Sequence, residues 1–153
     1  MDIILFEPEI PPNTGNIARL SAGLGVRLNL VGPLGFSIAD KDLKRAGLDY
    51  WPFVDLRVWP DWKSFRAAWE GGRIIATSAR SGEHFCRYVA EEGDGLLFGP
   101  ETRGLPDELT DAADRVYVVP LRPGVRSINL STTVGFFMGI AMSRLRADEA
   151  SRA

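Results

Sequence analysis

A chain of 153 residues with 45% apolar content holds one α/β core and hardly enough material for two independent domains, so a single domain over 1–153 is expected. Its formal net charge of −2 offers no global attraction to nucleic acid, and composition alone decides nothing about RNA. Lysine is confined to Lys41, Lys44 and Lys63, so the basic side chains are mostly arginines, the residue better suited to bidentate phosphate contacts and to stacking on bases.

The apolar run after Met1 stops at Glu7, too short and too acidic for a signal peptide or a membrane span, which points to a cytoplasmic protein with no membrane partner. Along the chain, strands are expected at Ile3 to Phe6, Leu28 to Val31, Val54 to Val58, Arg73 to Thr77, Leu96 to Phe98 and Val116 to Val119. Helical stretches fall between them, at Gly15 to Leu24, Lys41 to Ala46, Trp62 to Trp69 and, with Pro106 at the first helical position, Asp107 to Ala112. Asp40 and Asp61 read as N-caps, Gly47 and Gly71 as C-terminal stops. Alternation of this kind gives βαβ units and a mostly parallel sheet flanked by helices. The last helix, Ile128 to Ser143, carries no charge on any side, so burial all round is expected, with the sheet on one face and a second copy of the chain on the other. Gly135, Gly139 and Ser143 form a small-residue stripe along it.

Cys86 is the only cysteine, which removes disulfides and cysteine-based zinc clusters, and a small buried apolar side chain is expected there. His84, the only histidine, lies in a polar stretch and reads as a surface residue. No metal-ligand spacing, Walker loop or strand–GxGxxG–helix unit occurs, so nucleotide hydrolysis and nicotinamide chemistry lose support.

Four segments remain: Pro11-Pro12-Asn13-Thr14-Gly15-Asn16-Ile17-Ala18-Arg19, Phe98 to Pro106, Pro120 to Gly124, and Arg126-Ser127-Ile128-Asn129-Leu130-Ser131. Each follows an expected strand or opens a helix, where open α/β sheets collect ligands. Taken singly, each also reads as plain architecture. Asn13 or Thr14 would cap the first helix, Arg19 would be a solvated charge, Gly99 and Gly104 turn residues, Glu101 a surface carboxylate, and Ser127 and Asn129 caps of the final helix.

Together and in this order, the segments resemble the SPOUT methyltransferase superfamily, and within it the small 2′-O-ribose branch acting on the tRNA wobble nucleotide. Asn13 to Arg19 resembles the first motif, Gly99-Pro100-Glu101-Thr102-Arg103-Gly104-Leu105-Pro106 the second and Ser127-Ile128-Asn129-Leu130-Ser131 the third. Glu7-Pro8-Glu9-Ile10 and Lys44 to Tyr50 extend the likeness. The resemblance implies a C-terminal trefoil knot, which no pattern in the chain reveals and against which base rates stand. It implies S-adenosylmethionine as cofactor, without metal, in a pocket of Thr77, Ser78, Gly99, Glu101, Gly104, Val119, Leu121 and Ser127. It also implies Arg19 and Asn13 as catalytic residues, Asn16, Arg126 and Asn129 as substrate-binding residues, tRNA rather than DNA as partner, and a homodimer. Another tRNA or rRNA ribose, or a catalytically silent RNA-binding protein on the same fold, are the competing readings.

Overall fold

A computed structural model describes residues 1–38 and 50–152, the last seven of them by backbone alone. Seven parallel strands form one sheet in the order β3-β2-β1-β6-β4-β7-β5. They are β1 (Asp2–Phe6), β2 (Arg27–Val31), β3 (Leu56–Trp59), β4 (Ile74–Ser78), β5 (Glu83–His84), β6 (Gly95–Phe98) and β7 (Arg115–Val118). The helices are α1 (Pro11–Leu24), α2 (Trp62–Ala67), α3 (Asp107–Asp111) and α4 (Leu130–Arg152), with single 3₁₀ turns at Trp51–Phe53 and Phe85–Arg87.

The central strands β1 and β6 carry unbroken apolar runs, Ile3 to Phe6 and Leu96 to Phe98, because both faces are covered. Successive side chains point to opposite faces, so Ile3, Leu5, Leu28, Leu30, Leu96 and Phe98 pack with Ile17 and Ala18 of α1 and Val134, Phe137 and Met138 of α4. Ile4, Phe6, Val31, Ala76 and Leu97 join Phe65 of α2 and Leu109 of α3 on the other side. Fully burying one such side chain contributes about 1.5–3 kcal/mol, so this double-sided core is the main stabilising term.

A polar cluster closes the amino-terminal edge. Asp94, 1% exposed, accepts from Arg73 Nε and Nη2 at 2.9 and 2.8 Å, from the Tyr88 hydroxyl at 2.9 Å and from the Glu91 amide at 3.0 Å. Burial, then the Asp94 charge, pushes the Tyr88 phenol far above its usual value, and the Asp94 hydrogen bond raises Arg73.

Several local expectations change. Helix α1 starts at Pro11, because proline is tolerated where the N–H has no intrahelical partner; Ile10 is its N-cap and Asn13 and Thr14 lie inside it. Pro106 is the N-cap of α3 rather than its first residue, and α2 ends before Trp69 and Gly71. The third strand begins at Leu56 because Trp51–Phe53 coils into the 3₁₀ turn. Asp61 does cap α2, accepting from the Ser64 amide at 2.7 Å. The expected helix Lys41 to Ala46, its cap Asp40 and its stop Gly47 fall outside the described residues.

Cys86 is exposed, not buried: in the turn after edge strand β5, Phe85 and Tyr88 take the inward positions and Cys86 faces out. His84 is exposed as expected, its Nδ1 accepting from the Cys86 amide at 3.2 Å. Helix α4 is not buried all round within one chain. Val134, Phe137, Met138 and Ala141 are covered, whereas Phe136 is 45% exposed and a methyl group at Gly135 or Gly139 would meet nothing within 4 Å. The small-residue stripe therefore faces away from the protein's own sheet.

Candidate active site

All strands run the same way, so their carboxyl ends share one edge of the sheet. The loops that leave β4, β6 and β7 are brought together there because β6, β4 and β7 are consecutive in the sheet. These loops, with the first turn of α1 and the start of α4, wall a cleft of about 860 Å³.

Eight expected cofactor residues line this cleft: Thr77 and Ser78 at the end of β4, Gly99, Glu101 and Gly104 after β6, and Val119, Leu121 and Ser127 after β7. Asn13, Arg126 and Asn129 line it as well. Asn16 and Arg19 do not; both are exposed on α1, and the Arg19 guanidinium lies 5.9 Å from the centre of the Tyr50 ring, within cation–π range.

Each loop has a local reason for its shape. An added Cβ at Gly99 would stand 2.3 Å from the Leu105 nitrogen and 2.5 Å from the Gly104 carbonyl carbon, so the 99–104 loop closes on itself only if this residue has no side chain. Gly104, at φ +72°, returns its amide to the Pro100 carbonyl at 3.0 Å. The Ser78 hydroxyl accepts from the amides of Arg80 and Ser81, and the Thr77 hydroxyl donates to the Leu97 carbonyl of β6 at 3.2 Å. The hydroxyls of Thr77 and Ser78 thus shape the backbone of their own wall.

The three motif segments are joined by one chain of hydrogen bonds. Asn129 Nδ2 donates to Asn13 Oδ1 at 2.8 Å, and Asn13 Nδ2 donates to Glu101 Oε1 at 3.0 Å. Asn129 also caps α4, its Oδ1 accepting from the Ser131 amide and hydroxyl and from the Thr132 amide. Asn13 is 6% exposed, so its amide is held in a single orientation by a carboxylate on one side and an amide on the other. Glu101, far from being a free surface carboxylate, accepts from the amides of Glu9 at 2.9 Å and Ile10 at 3.3 Å, and so serves the N-terminus of α1 from 91 residues away. Helix α1 has no side-chain cap of its own and no acidic residue in its first turn. Sequence reading also passed over Thr102 and Arg103, whose only signal is their place inside the second motif, and Ile10, all of which line the cleft.

The cleft's volume lies in the range of small-molecule pockets, Val119, Leu121 and Leu105 offer apolar surface, and Gly99 and Gly104 leave stretches of the wall without a side chain.

Residues 1–139 match the SpoU rRNA Methylase family model. A tRNA (cytidine(34)-2′-O)-methyltransferase of Methylovorus glucosotrophus is 47% identical over 139 residues, 90% of each chain. The protein of the same name from Escherichia coli K12 is 44% identical over 136 residues, 88% of this chain and 87% of that one. A structure solved to explain the 2-OH methylation of C/U34 on tRNA superposes with a TM-score of 0.91 at 44% identity, covering 95% of this chain and 96% of the other.

Proposed function

The chain belongs to the SpoU rRNA methylase family, and from that premise we propose that it methylates the ribose 2′-hydroxyl of nucleotide 34, the wobble position, of tRNA. The observation that carries this reading is likeness over nearly the full length, in both directions, to proteins named for that one reaction. The motifs that the likeness spans meet in one cleft.

S-adenosylmethionine, the donor for this chemistry, supplies an electrophilic methyl group on a sulfonium. Thr77, Ser78, Gly99, Glu101 and Gly104 with Val119, Leu121 and Ser127 would hold it. Attack by the 2′-oxygen needs the ribose held in line with the methyl group, a task of positioning, together with removal of the hydroxyl proton. Asn13, fixed by Glu101 and Asn129, would orient the nucleotide at the cleft, which Arg126 and Asn129 also line. Arg19 stands outside the cleft of its own chain, and a guanidinium has no acceptor to take a proton, so its role is to fork onto a phosphate of the RNA there or onto the developing oxyanion at the cleft of a second copy, with Asn16 beside it on the same helix. The 2′-hydroxyl distinguishes RNA from DNA, so selection for RNA is built into the reaction.

The functional unit in this reading is a cytoplasmic homodimer, supported by the uncovered apolar face of α4 at Phe136, Gly135 and Gly139. The trefoil knot belongs to the same reading, supported by the family likeness over residues 1–139. Among the described residues no helix is long and apolar enough to cross a membrane. The test is methylation of bulk tRNA with labelled cofactor, followed by mapping of the modified nucleotide. Label at nucleotide 34 is the expected result; label elsewhere, or cofactor binding without transfer, replaces this reading with another target or with a silent RNA-binding protein.

A further inference from the structure

Beside the cleft, two loops exchange carboxylates. Glu101, in the loop after β6, accepts the backbone amides of Glu9 and Ile10 in the loop after β1. In return, Glu9 Oε2 accepts the Thr102 amide at 3.0 Å and the Thr102 hydroxyl at 2.7 Å. Arg103 lies across the pair, bonded to Glu7 and 3.9 Å from Glu9 Oε1, and so offsets the charge of three acidic side chains gathered in a small space. The Thr102 hydroxyl, then its amide and the Arg103 charge, hold the Glu9 carboxyl below the usual carboxylate range despite some desolvation. Glu9 itself does not line the cleft, whereas Gly99, Glu101, Thr102 and Gly104 all do.

We propose that Glu9 is a positioning residue of the cofactor cleft: through Thr102 it locks the 99–104 loop onto the start of α1, so that the cofactor-facing backbone and Asn13 are held in one fixed relation. The inference rests on the assignment of this cleft to S-adenosylmethionine. Without the Glu9 carboxylate, Glu101 still holds the start of α1 and Arg103 still holds Glu7, but Thr102 between them loses its partner on the α1 side and the backbone on its cleft side is less preorganised. A carboxylate that accepts two hydrogen bonds on an exposed rim adds little to global stability, so its loss is read in cofactor affinity rather than in unfolding.

The test compares wild type, Glu9→Ala and Glu9→Gln by calorimetric titration with S-adenosylmethionine, cofactor KM and kcat on tRNA, thermal midpoint, and amide hydrogen exchange across 99–104 in the ligand-free protein. In Glu9→Ala the expected result is a rise of about tenfold in cofactor Kd and KM. The kcat should stay within about threefold and the midpoint within about 2 °C of wild type, while exchange at Thr102 to Gly104 becomes faster. Glu9→Gln keeps an oxygen for Thr102 and recovers most of the affinity. Glu9→Ala with wild-type affinity and wild-type exchange protection overturns the proposal, and so does a variant whose affinity falls only in step with a lowered midpoint. A wild-type protein that binds no S-adenosylmethionine instead refutes the methyltransferase reading, and the exchange comparison then decides the loop lock on its own.

Discussion

Gly99→Ala is the sharpest probe of how the cleft is built. The clash of an added methyl group is with the protein itself, not with a ligand: its carbon would lie 2.3 Å from the Leu105 nitrogen, 2.5 Å from the Gly104 carbonyl carbon and 3.0 Å from the Leu105 Cα. Non-bonded atoms rest about 3.5–4.0 Å apart, so the backbone of 104–105 must retreat by about 1 Å. Overpacking of this kind costs about 1–3 kcal/mol. At about 2–4 °C per kcal/mol for a chain of this size, the melting midpoint should fall by roughly 2–12 °C. The displaced segment carries Gly104 and Leu105 on the cleft wall, and a misplacement of about 1 Å at a site can cost about 100-fold in rate. Cofactor affinity should therefore weaken by at least about tenfold in protein that remains folded at 20–25 °C. Differential scanning calorimetry and cofactor titration on the same preparation measure both effects. Gly23→Ala in α1 is the control, since a methyl group there meets nothing within 4 Å; it should be neutral or stabilise by about 0.5–1 kcal/mol. An unaltered midpoint and affinity in Gly99→Ala would falsify the claim that this glycine is required by loop closure.

Three further perturbations bear on the fold and the site. Tyr88 is fully buried with its phenol raised by burial and by Asp94, so the folded state resists an ionisation that the unfolded chain undergoes near pH 10. Stability is then intact below about pH 10 and falls as pH rises above it, and Tyr88→Phe should flatten that alkaline slope in urea midpoints measured from pH 8 to 11; an unchanged slope contradicts the assignment. Gly139→Leu, placed where the helix surface is open, should shift a dimer toward monomer in light scattering while leaving the midpoint of the separated chain unchanged; a monomeric wild type at micromolar concentration removes the dimer. Arg19→Ala should lose about 100- to 1,000-fold in single-turnover methylation with cofactor affinity retained, and Arg19→Lys should recover only part. Near-normal rates in both variants return Arg19 to the role of a solvated charge.

The parts of this molecule that were legible in the sequence are those set by local periodicity. Apolar runs such as Ile3 to Phe6 and Leu96 to Phe98 announce strands covered on both faces, and the motif segments following them fall at the carboxyl edge simply because every strand is parallel. What was illegible is set by distant partners. Asn13 looks like a helix cap because asparagine so often is one, yet α1 begins earlier with prolines, and its N-terminus is served by Glu101. The exchange between Glu9 and Thr102 joins residues 93 apart and leaves no local pattern. The sequence shows no charge on any side of the segment Ile128 to Ser143, which forms the first part of α4, but only the fold decides that Phe137 enters the core while neighbouring Phe136 is left at the surface.

The position of Arg19 follows from helix geometry. Asn13 in the first turn of α1 faces the cleft, bonded to Glu101 and Asn129. Arg19 comes six residues later, which on an α-helix is about 9 Å along the axis and about 240° around it, so one helix cannot deliver both side chains to the same cleft. Asn16, three residues on, is displaced by about 4.5 Å and 300°, and it too stands exposed outside the cleft wall. If Arg19 acts on the substrate, it does so either on a part of the RNA lying beyond the cleft of its own chain or at the cleft of a second copy. Mixed dimers separate the two arrangements. Combining an Arg19→Ala chain with a Glu101→Ala chain, once each is shown to be inactive alone, restores about a quarter of wild-type turnover if the arginine serves the opposite cleft, since half of the dimers are mixed and each carries one intact site. It restores none if the arginine and the cleft must belong to one chain. The exposed stripe of α4, which packs beside α1, is the surface on which that second copy would bring its own α1 near.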